Sequence, residues 1–271
     1  MHAKAWTGLV LTLATLGFGC GGGGQKQEAA TGQESGQAAA PAATPPAGEP
    51  AAAAGGGTGS ITGKITFTGE APKATAIKMD ADPYCKAQHE QAATSESVVT
   101  NPDGTLRNVF VYVKSGLPAG QTYAPPSEPA VLDQHGCTYR PHVQGVMVGQ
   151  PLTILNSDGT LHNIHSLAKN SKQFNLGMPT QGMKLTQKFT AEEVMVRVKC
   201  DVHPWMECWI GVMNHPFFAV SADGGAFEIK NLPPGTYEIE AWHEKFGAQT
   251  QSVTVTAGQP APVSFSFQPT A

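Results

Sequence analysis

From Ile61 onward, apolar side chains recur at every second residue in runs too short for helices. The first run sets the pattern, with Ile61, Gly63, Ile65 and Phe67 alternating with Thr62, Lys64 and Thr66. Similar runs follow at 106–113, 143–148, 152–155, 194–198, 209–213, 227–229, 237–241, 252–255 and 263–267. They are rich in Val, Ile, Phe and Tyr and are separated by Gly, Pro, Asn or Asp clusters. A period of two puts alternate side chains on opposite faces of a sheet, and the breakers turn the chain between runs. The chain is therefore expected to be all-β and of sandwich type. Only AEEV at 191–194 hints at a helical turn, and short helices remain open between 80 and 95.

The first twenty residues, MHAKAWTGLVLTLATLGFGC, carry Lys4, an apolar stretch from Trp6 to Phe18, and then Gly19 and Cys20. That stretch is too short to span a bilayer and has the proportions of a secretory signal. It resembles a bacterial lipoprotein signal. The resemblance implies removal of residues 1–19, lipidation of Cys20 and anchoring in the bacterial cell envelope, at the outer membrane on its periplasmic or surface side. Cleavage to a soluble exported protein is the alternative. Residues 21–60 contain no Val, Ile, Leu, Met or aromatic residue. Such a tract cannot bury enough apolar surface to offset its ordering entropy, so 20–57 is expected to be a disordered tether spanning about 35 Å. A net charge of −4 with no basic stripe makes nucleic acid an unexpected partner.

The remaining residues exceed what one small sandwich needs, which suggests two modules. The tail, FAVSADGGAFEIKNLPPGTYEIEAWHEKFGAQTQSVTVTAG, resembles the carboxypeptidase regulatory-like domain, a transthyretin-type sandwich with DGxF and PPGxY turns. That family opens with a GxIxGxI strand, and GSITGKITFTGEAP at 59–72 supplies one. The resemblance implies one small transthyretin-like sandwich built from 58–79 and 217–271, with a second module at 80–216 inserted between them. A tandem order is the alternative.

The chemistry-bearing residues lie in the inserted part. KCDVHPWMECW at 199–209 places Cys200, His203 and Met206 at CxxHxxM spacing, and NSDGTLHNIH upstream carries Asn156, His162, Asn163 and His165 in what reads as a loop after the 152–155 strand. Two imidazoles, one thiolate and a thioether form the donor set of a blue-copper site. Soft sulfur favours Cu(I) and imidazole tolerates Cu(II), so a rigid compromise lets a single electron come and go with little rearrangement. Read from the residues alone, zinc and a Cys200–Cys208 disulfide stay open as alternatives.

Both motifs resemble those of the cupredoxins, the type 1 copper proteins of the amicyanin and plastocyanin kind, over roughly residues 98–215. The resemblance implies a Greek-key β-sandwich holding one copper ion through His162, Cys200, His203 and Met206. Asn163 would tie the two ligand loops together. His203, Pro204 and Trp205 would form the electron-exchange surface, facing a redox protein in the cell envelope. Asp201 stands where that family usually has Thr or Ser. His165 is expected to be an ordinary histidine, and Met178 and Met183 are weaker candidates than Met206 for the axial position.

With Cys20 assigned to lipid and Cys200 to copper, a bridge between Cys85 and Cys137 is expected in an exported protein. A second metal site using Cys85, His89, Cys137 and His142 is its rival. No GxSxG elbow, HExxH helix, phosphate loop or dinucleotide fingerprint is present. The expected function is a non-enzymatic electron carrier. Copper storage or delivery, and a surface β-module with a structural or vestigial metal site, are the alternatives.

Overall fold

The computed structural model describes residues 57–269, so the expected signal 1–19, Cys20 and nearly all of the 20–57 tether lie outside the described residues. Among the described residues the chain forms sixteen strands and one short α-helix. In order these are β1 (Gly59–Phe67), α1 (Pro83–Ala87), β2 (Phe110–Ser115), β3 (Ala130–Gln134), β4 (Tyr139–Arg140), β5 (Val143–Met147), β6 (Leu152–Asn156), β7 (His162–Ser166) and β8 (Asn175–Met178). Then follow β9 (Lys184–Gln187), β10 (Glu193–Lys199), β11 (Glu207–Met213), β12 (Phe218–Val220), β13 (Ala226–Leu232), β14 (Gly235–His243), β15 (Gly247–Val255) and β16 (Pro260–Phe267). The protein is all-β, built as two packed sandwiches.

One sandwich joins the two ends of the described chain. β1 is the middle strand of a three-stranded sheet, antiparallel to β13 and parallel to β16. A second sheet, ordered β12-β2-β14-β15, faces it. Alternation explains the packing: Ile61, Ile65 and Phe67 meet Phe227, Ile229, Tyr237, Ile239, Val263, Phe265 and Phe267 in one core, while the intervening polar residues face out. Tyr237, in the PPGxY turn, donates its hydroxyl to the Pro233 carbonyl at 2.6 Å, so the large ring is buried with its polar end satisfied.

The other sandwich packs a five-stranded sheet, β5-β11-β10-β7-β8, against a four-stranded one, β4-β3-β6-β9. Its core contains Leu132, Tyr139, Leu152, Ile154, Ile164, Phe189, Val196, Val198, Ile210 and Val212. Cys208 lies in β11 opposite Val198, a fully buried free thiol in this core.

Three expectations need correction. β2, which falls within the expected 80–216 copper module, pairs with β12 and β14 of the first sandwich. Its alternation serves two cores: Val111 and Val113 face the first, while Phe110 and Tyr112 turn to a junction shared with Val143, Met195 and Met213. The 191–194 segment leads into β10 instead of forming a helical turn. The β10–β11 register shifts between Glu193 and Val196, where Met195 takes φ 63°. Finally, His162, Asn163 and His165 lie in β7, paired with β8 and β10, and not in a loop.

Candidate metal centre

The segment between β10 and β11 folds back on itself. The Cys200 amide donates to the Met206 carbonyl at 3.1 Å, and the Met206 amide to the His203 carbonyl at 2.9 Å. The His203 amide points at Cys200 Sγ, 3.3 Å away. These bonds place Cys200, His203 and Met206 on one closed turn, and all three side chains are buried. His162, at the start of β7, is fully buried and meets the turn from the neighbouring strand. Its Nδ1 lies 2.9 Å from Nδ1 of His203, which in turn is 3.9 Å from Cys200 Sγ.

Each imidazole is held from behind by a carboxylate. Nε2 of His162 lies 2.9 Å from Asp158 Oδ2, and Nε2 of His203 lies 2.9 Å from Asp82 Oδ2. Asp158 is buried and also accepts the Gly136 and Cys137 amides, each at 2.8 Å. Asn156 shapes this loop by accepting the Asp158 amide at 3.0 Å. Asp82 is the N-cap of α1, its Oδ1 accepting the Tyr84 and Cys85 amides while its Oδ2 also accepts the Thr160 hydroxyl. The Asp82-Pro83 pair reads in the sequence as a helix start. Nothing local announces that its second oxygen reaches a histidine 121 residues away.

Burial opposes charge on every one of these groups, and the hydrogen bonds outweigh it. Both aspartates stay below the usual carboxylate range because their histidines and the surrounding amides favour the anion. Burial would lower both imidazoles, but the carboxylates and Cys200 raise them. Burial would raise the Cys200 thiol, yet the two imidazoles and nearby amides bring it down to about 6. Cys208 has no such partners, and burial pushes it far above the ordinary thiol range.

Asn163 accepts the Asp201 amide through its side chain, linking β7 to the ligand turn, and its carbonyl accepts the Tyr139 hydroxyl at 2.6 Å. His165 faces away from the centre and bonds Asp201 at 2.9 Å. Met178 accepts a hydrogen bond from Gln134. Cys85 and Cys137 are bridged, His89 bonds the Gly136 carbonyl and His142 pairs with Glu244, so these four do not form a metal cluster. Cys200 and Cys208 are both free thiols. Pro204 is exposed and Trp205 half-buried, its ring centroid 5.0 Å from that of His203 and tilted against it by 42°. His203 itself is buried beneath Asp82, contrary to its expected place on the exchange surface.

Residues 213–268 match the family model of the carboxypeptidase regulatory-like domain. No curated protein matches the chain. Among solved structures, a purple cupredoxin from Nitrosopumilus maritimus is similar at 26% identity, covering 31% of this chain and 98% of that one, with a TM-score of 0.27. A point mutant of amicyanin in its Cu(I) form is similar at 21% identity, covering 38% of this chain and 97% of that one, with a TM-score of 0.28. The copper-containing nitrite reductase of Thermus scotoductus SA-01 is similar at 19% identity over 37% of this chain, with a TM-score of 0.31, and the match spans only 26% of that reductase.

The residues fit a soft metal ion. The ligand atoms of His162, Cys200 and His203 all lie within 4.8 Å of one another. Donors each about 2 Å from a common ion sit about 3–4 Å apart, in line with the separations seen here. Two other groups, Asp82 with Cys85 and His203, and Asp158 with Cys137 and His162, each include a bridged cysteine and so offer no thiolate.

Proposed function

We propose that this protein is a type 1 copper protein that carries single electrons, with His162, Cys200, His203 and Met206 holding one copper ion. The observation that carries the reading is the pair of imidazoles facing each other across 2.9 Å. Each can commit its Nε2–H to a carboxylate acceptor, which turns two Nδ1 atoms and an acidified thiol toward one buried point. Two Nδ1 atoms at that distance need a shared proton or a metal cation between them. The mixed nitrogen and sulfur donors select copper over magnesium or calcium, and a thioether suits copper better than structural zinc. When bound, the ion supplies one-electron exchange between Cu(I) and Cu(II). The chain's part is to hold the donors rigid, keep water out and orient both rings. On the same proposal the carrier is tethered to the bacterial cell envelope through lipidated Cys20, and a redox protein docks near Pro204 and Trp205.

Addition of one equivalent of Cu(II) to the metal-free protein is expected to give an intense blue or green absorption with the narrow copper hyperfine splitting of a thiolate-bound site. Cys200→Ala should abolish it. A wild type that stays colourless and carries stoichiometric zinc would overturn the reading.

A further inference from the structure

We propose that Asp158 and Asp82 are positioning residues that lock both imidazoles with Nδ1 toward the metal and thereby lower its reduction potential. The inference rests on the copper reading above and deepens it.

The geometry of the two supports is matched. Each carboxylate oxygen lies 2.9 Å from an Nε2, and each aspartate is anchored by two backbone amides of its own. An Nε2–H that donates to a fixed anion cannot migrate to Nδ1, and the ring cannot rotate without breaking that bond. The anion also pushes electron density through the ring, making Nδ1 a stronger donor. Stronger donation favours Cu(II) over Cu(I), which lowers the potential.

The two supports are also joined. Asp82 caps the helix that carries Cys85, and Cys85 is bridged to Cys137, whose amide holds Asp158. The bridge therefore registers one carboxylate against the other. Trp205 adds to the same ring of contacts by donating its indole N–H to the Cys137 carbonyl at 3.1 Å. The supports differ in freedom: the Asp158 side chain is 1% exposed and that of Asp82 21%. Loss of the bridge should release Asp82 and leave Asp158 in place.

The test measures reduction potential and Cu(II) affinity in Asp158→Asn, Asp82→Asn and the Cys85→Ser/Cys137→Ser pair, with Asp223→Asn in the other sandwich as control. Each aspartate variant is expected to weaken Cu(II) binding about 10- to 100-fold. If Cu(I) binding holds, each tenfold loss raises the potential by about 59 mV. The cysteine pair should reproduce the Asp82→Asn shift, and Asp223→Asn should shift nothing. In metal-free wild-type protein above the histidine titration range, nitrogen-15 spectra should place the proton of both His162 and His203 on Nε2. That measurement decides the matter if a variant fails to fold. Protonated Nδ1 on both rings, or folded aspartate variants with unchanged potential and affinity, would overturn this inference while leaving the copper site intact. A wild type that binds no copper would instead overturn the function beneath it, and this inference with it.

Discussion

Cys200 and Cys208 are eight residues apart and chemically opposite. Cys200 sits at a strand end among two imidazoles and two amides and is brought down to about 6, whereas Cys208 sits in apolar core and is pushed well up. On the proposed reading, copper entering the site would displace protons from Cys200 and from two histidines whose affinity for protons is itself raised. The sign follows directly. Below about 6 the thiol is protonated, and the imidazoles begin to take up protons above the ordinary histidine value. Apparent copper affinity should therefore fall as the pH drops from about 8 to about 5, by about tenfold per unit for each proton displaced, and more steeply below about 6. Competition with a chelator of known affinity measures it, and a flat profile would contradict the assignment of these three ligands. The four proposed donors could be named from the sequence because copper chemistry needs particular side chains at short spacings, and the structure brings the ligand atoms of His162, Cys200 and His203 within 4.8 Å of one another. Asp82 and Asp158 were not, because any carboxylate can cap a helix or begin a turn, and only the fold decides which imidazole lies behind it.

β2 and the β5–β11 pair meet through glycine. At Gly211 an added Cβ would lie 2.3 Å from the Phe110 ring, and at Gly145 one would lie 2.4 Å from Phe218. Neither glycine has positive φ, so their role is space and not backbone freedom. Gly211→Ala should destabilise the protein by about 1–3 kcal/mol through overpacking. Phe110→Leu in the same chain should recover part of that loss, since the shorter side chain vacates the contact. Gly177→Ala, in the exposed part of β8 with no atom within 4 Å, should change stability by less than about 0.5 kcal/mol. Denaturant unfolding of the four proteins checks the set. The longer strands were readable from alternation, but β3, β4, β7, β8, β9 and β12 were not. In β7 three of the four buried positions are occupied by His162, Asn163 and Ser166, which serve bonding and not hydrophobicity, and only Ile164 is apolar. β8 and β9 are four-residue edge strands whose side chains are mostly polar or half-exposed.

At the scale of the molecule, the chain starts one sandwich, leaves it, returns for β2, builds the sandwich that carries the candidate metal centre and comes back to finish the first. Length and family resemblance suggested two modules, but patterning could not assign β2, because a strand with apolar residues on both faces fits either core. Register decides it, through five pairings with β14 and three with β12. The arrangement makes β1 indispensable. It supplies Ile61, Ile65 and Phe67 to the core and is the strand that joins β13 to β16. Removal of three such side chains costs about 2–5 kcal/mol each, a sum comparable with the about 5–15 kcal/mol that holds a whole domain together. A chain beginning at residue 80 should therefore fail to complete this sandwich, and β13 and β16, left without their shared partner, should exchange amide protons rapidly and be cut early by protease. Because β2 presents Phe110 and Tyr112 from that same sandwich to β5 and β11, the loss should also loosen the junction around Trp209 and Trp242, whose rings lie 5.1 Å apart, and shift their fluorescence. Slow exchange across β13–β16 in the shortened chain would show instead that the strand order here does not carry the stability assigned to it.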